Sequence, residues 1–317
     1  MVIMFDPSTL AHMGDQLLAS GQTEPAIQAY LQALNAPAES VDSAWTTDAY
    51  ARTVCQLASA ILRRTNGDLA TNIEDAIDVC RRALEFMAPD ELSDVLFSDG
   101  RRIALTPGGR RDGAMLFDQL GQACLMRLEG DKGENVEIAL RAFHQALAWT
   151  DRRNDPVNWA ARASSLATAL LSRVEGEPEV NTDNAINLQR QAVEVFAASG
   201  DLERWAAAAT NLARSWLLVG GPSRTASVQR AIGLFQDVLR TRGRDTNPFG
   251  WASTSVGLAH AYIELGNAAG GQSVTQAVQL CEDVLAEPAM ERFPTLKAQA
   301  YQLLALASGE LPGSGRD

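Results

Sequence analysis

An apolar dipeptide returns along this chain at a fixed step. Ala139-Leu140, Ala185-Ile186, Ala231-Ile232 and Ala277-Val278 lie 46 residues apart, preceded by Ala26-Ile27 and Ala76-Ile77. A second anchor, at Leu57-Ala58, Leu120-Gly121, Leu166-Ala167, Leu212-Ala213 and Leu258-Ala259, leads the first by 19 residues from the second unit onward. Leu304-Ala305 continues that series with no partner after it. Recurrence of this kind restricts the fold severely. Each unit is one supersecondary element that cannot bury its apolar face alone, so neighbours must stack on one another.

The element is helical. Apolar residues around both anchors recur at i, i+3, i+4 and i+7, and a small residue at the anchor lets two helices approach. Turn-forming clusters such as Asn66-Gly67-Asp68, Glu129-Gly130-Asp131, Gly220-Gly221-Pro222-Ser223 and Ala269-Gly270-Gly271 separate helix A from helix B. Thr71-Asn72-Ile73-Glu74 and Ser273-Val274-Thr275-Gln276 have the form of capping boxes opening helix B. One step is longer: the second and third units are 63 residues apart, an excess of 17 that falls in Pro89 to Asp112 and predicts an inserted loop. The chain therefore divides into a compact hairpin over 1-44, a second over 45-88, the insertion over 89-112, hairpins three to six with a terminal helix over 113-308, and a tail over 309-317.

The first unit, Pro7 to about Ser40, resembles the tetratricopeptide repeat (TPR) family: Gly14, Leu17, Gly21, Ala26, Tyr30 and Ala33 occupy the family's small, large, turn, small, aromatic and small positions. The later units keep that core with about six more residues between the helices, and look like the long-repeat arrays that accompany caspase-like CHAT domains. The resemblance implies an all-α α-solenoid of about six hairpins plus a C-terminal helix, without catalysis, holding a protein or peptide in a concave groove lined by helix A. Family register places Arg52, Ser59, Arg63, Asp118, Gln122, Met126, Ser164, Thr168, Thr210, Arg214, His260 and Glu264 on that groove. The Lys and Asn pairs of the carboxylate-clamp repeats are missing there. A regulatory adaptor for a separately encoded effector such as a caspase-like protease is the alternative reading, and an enzyme built around His260, Arg214 and Glu264 a third.

Other reactive residues have a structural explanation first. Cys80 and Cys281 share their register with Tyr30, Phe143 and Phe235, and Cys124 shares one with Leu17, Ile61 and Leu170, so these cysteines are read as core. Gln189 is the polar departure in the aromatic slot. Trp159, Trp205 and Trp251 recur at 46 residues at the start of helix A, each four residues after Asp155, Asp201 or Asn247, and each ring is expected to pack on the preceding helix B, a stacking surface for a ligand being the alternative. Three histidines, four scattered cysteines and the absence of a phosphate loop or nucleophile elbow predict no cofactor, no metal and no active site. A net charge of -12 argues against nucleic acid, although Arg101, Arg102, Arg110 and Arg111 make a basic loop open to an acidic partner. With neither a basic-apolar leader nor a long apolar run, a cytoplasmic protein is expected, and the unpartnered last helix could support a homodimer.

Overall fold

A computed structural model describes residues 6–36, 45–87, 107–269 and 272–308. Among them are thirteen α-helices and no strand. The chain forms two compact units, Met1–Gly176 and Glu177–Asp317. Their boundary lies at the turn of the fourth hairpin, so its two helices belong to different units.

The first unit holds α1 (Pro7–Ala19), α2 (Thr23–Leu34), α3 (Thr47–Leu62), α4 (Leu69–Met87), α5 (Pro107–Met126), α6 (Lys132–Ala148) and α7 (Pro156–Ser172). Each helix packs on the next in sequence, and α1, α3, α5 and α7 also touch in succession, making a row of A helices. The packing follows from the anchors. Ala26, Ala76, Ala139, Ala58 and Ala167 are wholly buried, and where the anchor is glycine the partner is a ring: Gly14 faces Tyr30 and Gly121 faces Phe143. Both rings are buried, and Tyr30 keeps its hydroxyl satisfied by donating to Asp15 Oδ1 at 2.8 Å. Ala58 and Ala167 carry a methyl at that position, and the slots of their hairpins hold Cys80 and Gln189 instead of a ring.

The second unit holds α8 (Pro178–Ser199), α9 (Leu202–Trp216), α10 (Arg224–Thr241), α11 (Pro248–Ala269), α12 (Gln272–Leu285) and α13 (Pro294–Ala307). Sequential helices pack together here too, and α9, α11 and α13 form the A row. Phe235 is buried against Gly257 of the following hairpin, and Cys281 sits in the last core cluster beside Met290 and Leu296. Gln189 is wholly buried and its Oε1 accepts from Ser215 Oγ at 2.6 Å, so the polar departure joins α8 to α9 by a hydrogen bond instead of a ring. Its Nε2 has no partner, a cost that the ring-bearing slots avoid.

The helix starts differ from expectation. α4 opens at Leu69, and it is Asp68 that accepts from Thr71 N at 3.0 Å. Thr71 is therefore inside the helix, and Glu74 is used elsewhere. Ser273 likewise falls inside α12, which begins at Gln272. Of the expected loop over 89-112, residues 88–106 with Arg101 and Arg102 lie outside the described residues, whereas Arg110 and Arg111 belong to the first turns of α5. Their place is a helix because Pro107 is well suited to a first helical position. The tail over 309-317 also lies outside the described residues.

The helix-A tryptophans are held in ways the spacing alone did not specify. Arg152 lies over Trp159 at 4.3 Å and Arg244 over Trp251 at 4.9 Å, each from seven residues earlier. Trp205, with alanine at that offset, packs with Val193, Leu234 and Val238. Asp201 caps its helix through Arg204 N at 3.0 Å, and Asn247 through Gly250 N at 2.8 Å. Asp155 makes no backbone cap, bonding to Asn158 at 2.9 Å.

Candidate functional site

Adjacent hairpins of the first unit are tied by one repeated contact. Arg64 donates through Nε and Nη2 to the two carboxylate oxygens of Glu24 at 2.7 and 3.0 Å. Arg127 does the same to Glu74 at 2.6 and 2.9 Å, and Arg173 to Glu137 at 2.6 and 3.1 Å. Every arginine follows a helix A, and every glutamate sits two residues before a helix-B anchor of the preceding hairpin. The forked, two-oxygen geometry is the stronger form of such a pair and ties one hairpin to the next. The arginine and glutamate registers could have been read in the sequence from their constant offsets to the apolar anchors.

Along the A row of the same unit the expected groove residues do gather. Ser59 on α3 donates to Gln119 on α5 at 3.3 Å, and Gln122 donates to Asp118 Oδ2 at 3.0 Å. Asp118 Oδ1 and Ser164 Oγ are buried with no hydrogen-bond partner. Burial holds the Asp118 carboxyl above its ordinary range, against the opposing pull of Arg162, Ser165 and Gln122. Arg162 itself is buried and bonds to Thr150. Gln122, Met126 and Thr168 are exposed on the same row, with Arg52 and Arg63 exposed toward its start. There, between α1 and α3, a cleft of about 230 Å³ is lined by His12, Asp15, Trp45, Arg52 and Gln56. Trp45 and His12 are contributors that family register alone left out.

The A row of the second unit is already engaged with itself. Thr210 is buried, donates to Ala206 O at 2.8 Å and meets Thr254 Oγ1 of α11 at 3.3 Å, so it is packed between helices and does not line a surface. Close approach of α9 and α11 needs small side chains at that contact, and Thr is one. Arg214 donates to Ser253 O and Oγ at 3.1 and 2.8 Å. Glu264 is paired with Arg224 and stands 3.6 Å from His260 Nε2. A glutamate neutralised by one arginine, with the other arginine bound to Ser253, is a structural network more than an acid-base set. Among the described residues no group of three or more His, Cys, Asp or Glu is placed to hold a metal, and no helix is long and apolar enough to cross a membrane.

The cysteines are inert by environment. Burial pushes the Cys55 thiol up to about 12, and those of Cys124 and Cys281 to about 11, while Cys80 is raised well above its usual range. At pH 8 all four stay protonated, and the thiolate is the nucleophile. A colorimetric disulfide reagent should therefore label the folded protein negligibly over minutes and all four thiols once guanidinium unfolds it. Rapid labelling of any cysteine in the folded chain would contradict this placement.

No family model and no curated protein matches the sequence. Solved structures do match. A crystal structure of a variant of nearly identical TPR-like repeats from a kinesin light chain-like protein of Podosopora anserina aligns at 18% identity and a TM-score of 0.50, over 78% of this chain and 98% of that one. The parent repeats align at 15% identity and a TM-score of 0.49, over 83% and 98%. At that identity the likeness is one of fold, and it agrees with the packing just described: a TPR-like repeat fold of stacked helical hairpins.

Proposed function

We propose that this chain is a non-catalytic scaffold that holds an extended segment of a protein partner along the helix-A face of its first unit. The observation that carries the reading is the pair of buried, unpartnered acceptors on that face, Asp118 Oδ1 and Ser164 Oγ. Buried polar atoms are nearly always hydrogen-bonded, and each one left unmade costs about 1–3 kcal/mol. Both side chains are only part-buried, so a rotation that turns these oxygens outward lets them meet donors from outside, and the backbone N–H groups of an extended peptide are donors at regular spacing. Gln122, Thr168 and Met126 beside them add hydrogen-bonding and apolar contact. Repeat folds of this kind are generally interaction surfaces, which supports a protein partner in preference to a substrate.

A photo-crosslinking residue at Gln122 or Thr168 should capture a discrete adduct in cells of the native host, whereas the same residue at exposed Glu85 on α4 should not. Adducts of equal yield from Glu85, or none from the A face, would sink the proposal.

A further inference from the structure

The strut ladder that ties the first unit does not continue into the second, and the place where it stops is a cleft. Carried forward by the 46-residue step, Arg127 and Arg173 are followed by Val219, and Glu137 is followed by Asp183. The turn has changed with it. Where hairpins two to four have a single positive-φ glycine, Gly67, Gly130 or Gly176, followed by an acid, this turn reads Gly220-Gly221-Pro222. Arg224 bonds instead to the carbonyls of Leu217 and Val219 at 3.1 and 3.2 Å and to Glu264, so it caps the turn without reaching back to α8. Asp183 is exposed and has no ion pair among the described residues. Together with Glu179, Thr182, Val219, Gly221 and Ser223 it lines a cleft of about 450 Å³.

We infer that this cleft receives an arginine side chain of a protein partner, which lies across Asp183 as the chain's own arginines lie across Glu24, Glu74 and Glu137. Register, more than negative charge, carries the assignment. In three sibling hairpins the same position relative to the helix-B anchor binds a guanidinium, each time through Nε and Nη2 to both carboxylate oxygens. Here the acid is kept while the internal guanidinium is replaced by an apolar side chain too short to fill its path; one step further both are gone, with Leu265 and Gln229 in the two registers. Asp183 is one methylene shorter than its glutamate counterparts, which sets the carboxylate back and leaves depth for a side chain arriving from outside. Thr182 and the turn around Gly221 and Ser223 offer acceptors for the remaining N–H groups. A lysine would find one point charge to meet but could not span both oxygens. The site is in the second unit and does not depend on the helix-A face of the first.

Titration of the whole chain with the blocked peptide Gly-Gly-Arg-Gly-Gly, followed by amide NMR, tests the assignment. The expected result is a saturable shift of the Gly220, Gly221 and Ser223 amides with a dissociation constant of about 1–10 mM, the range for one exposed contact, and none with citrulline in place of arginine. Asp183→Asn should abolish the shift. Val219→Arg should abolish it by supplying the guanidinium from within, and should raise the melting temperature as the missing strut forms. Shifts that persist in Asp183→Asn, equal binding of the citrulline peptide, or no saturable shift would each overturn the inference. Free arginine binding more tightly than the blocked peptide would reassign the cleft to the amino acid and overturn the partner.

Discussion

Phe143→Ala is expected to destabilise the first unit by about 3–5 kcal/mol, the cost of emptying a wholly buried aromatic position whose surroundings relax only in part. The neighbouring anchor makes the prediction sharper. A Cβ built on Gly121 would lie 2.7, 2.8 and 2.9 Å from three carbons of the Phe143 ring. Gly121→Ala alone should therefore cost about 1–3 kcal/mol through overpacking, despite alanine's better helix propensity. In the Phe143→Ala background the ring is gone, the new methyl enters the cavity, and the same change should stabilise by about 0.5–1 kcal/mol. The two sites thus couple by about 2 kcal/mol or more, read by urea unfolding of the four proteins at 222 nm. Additive effects would mean that Gly121 and Phe143 do not share one contact.

That pairing shows how far a sequence of this type can be read. The two anchor series mark a helix at each of α2 to α13, because small residues at a fixed register point to close helix contacts, although α5 starts at Pro107, inside the expected loop over 89-112. Core status for Cys80, Cys124 and Cys281 followed from register for the same reason, and the structure buries all three. Glycine at the anchor with a ring opposite, against alanine with Cys80 or Gln189, was also present in the sequence, but its meaning needs the distance between two helices. The struts were less visible. Arg64, Arg127 and Arg173 stand 40, 53 and 36 residues from their partners, and that irregular separation hides a contact that is regular only in three dimensions. Capping was misread because Asp68 and Thr71 satisfy the same local pattern, and what decides between them is where the turn releases the backbone. Thr210 was placed on a surface because register gives a residue's face on its own helix, while burial depends on how near the next A helix comes.

Asp118→Asn should make the protein more stable and less able to bind. The wild-type carboxyl sits in a buried setting that penalises its charged form, with Oδ1 unpartnered. Burial raises its pKa in the folded chain above the unfolded value, so its protonated form is favoured by folding. Its contribution to stability is fully present below the unfolded pKa and is lost as pH rises through the folded one. Asparagine removes the charge while retaining the shape and an acceptor for Gln122. A gain on the order of 1 kcal/mol is expected at a pH above the raised folded pKa, shrinking as pH falls through that pKa, where wild-type Asp118 takes up its proton in the folded chain. A gain that stays constant with pH would show that burial of the charge is not its source. If the A face binds a partner through this acceptor, the same substitution should also reduce crosslinking from Gln122 and Thr168 several-fold. Stability and binding then move in opposite directions, as expected where a fold retains an unfavourable group for recognition. A destabilised variant with weaker crosslinking would instead mark Asp118 as a residue of the packing, and an A face that crosslinks as before would remove it from the site.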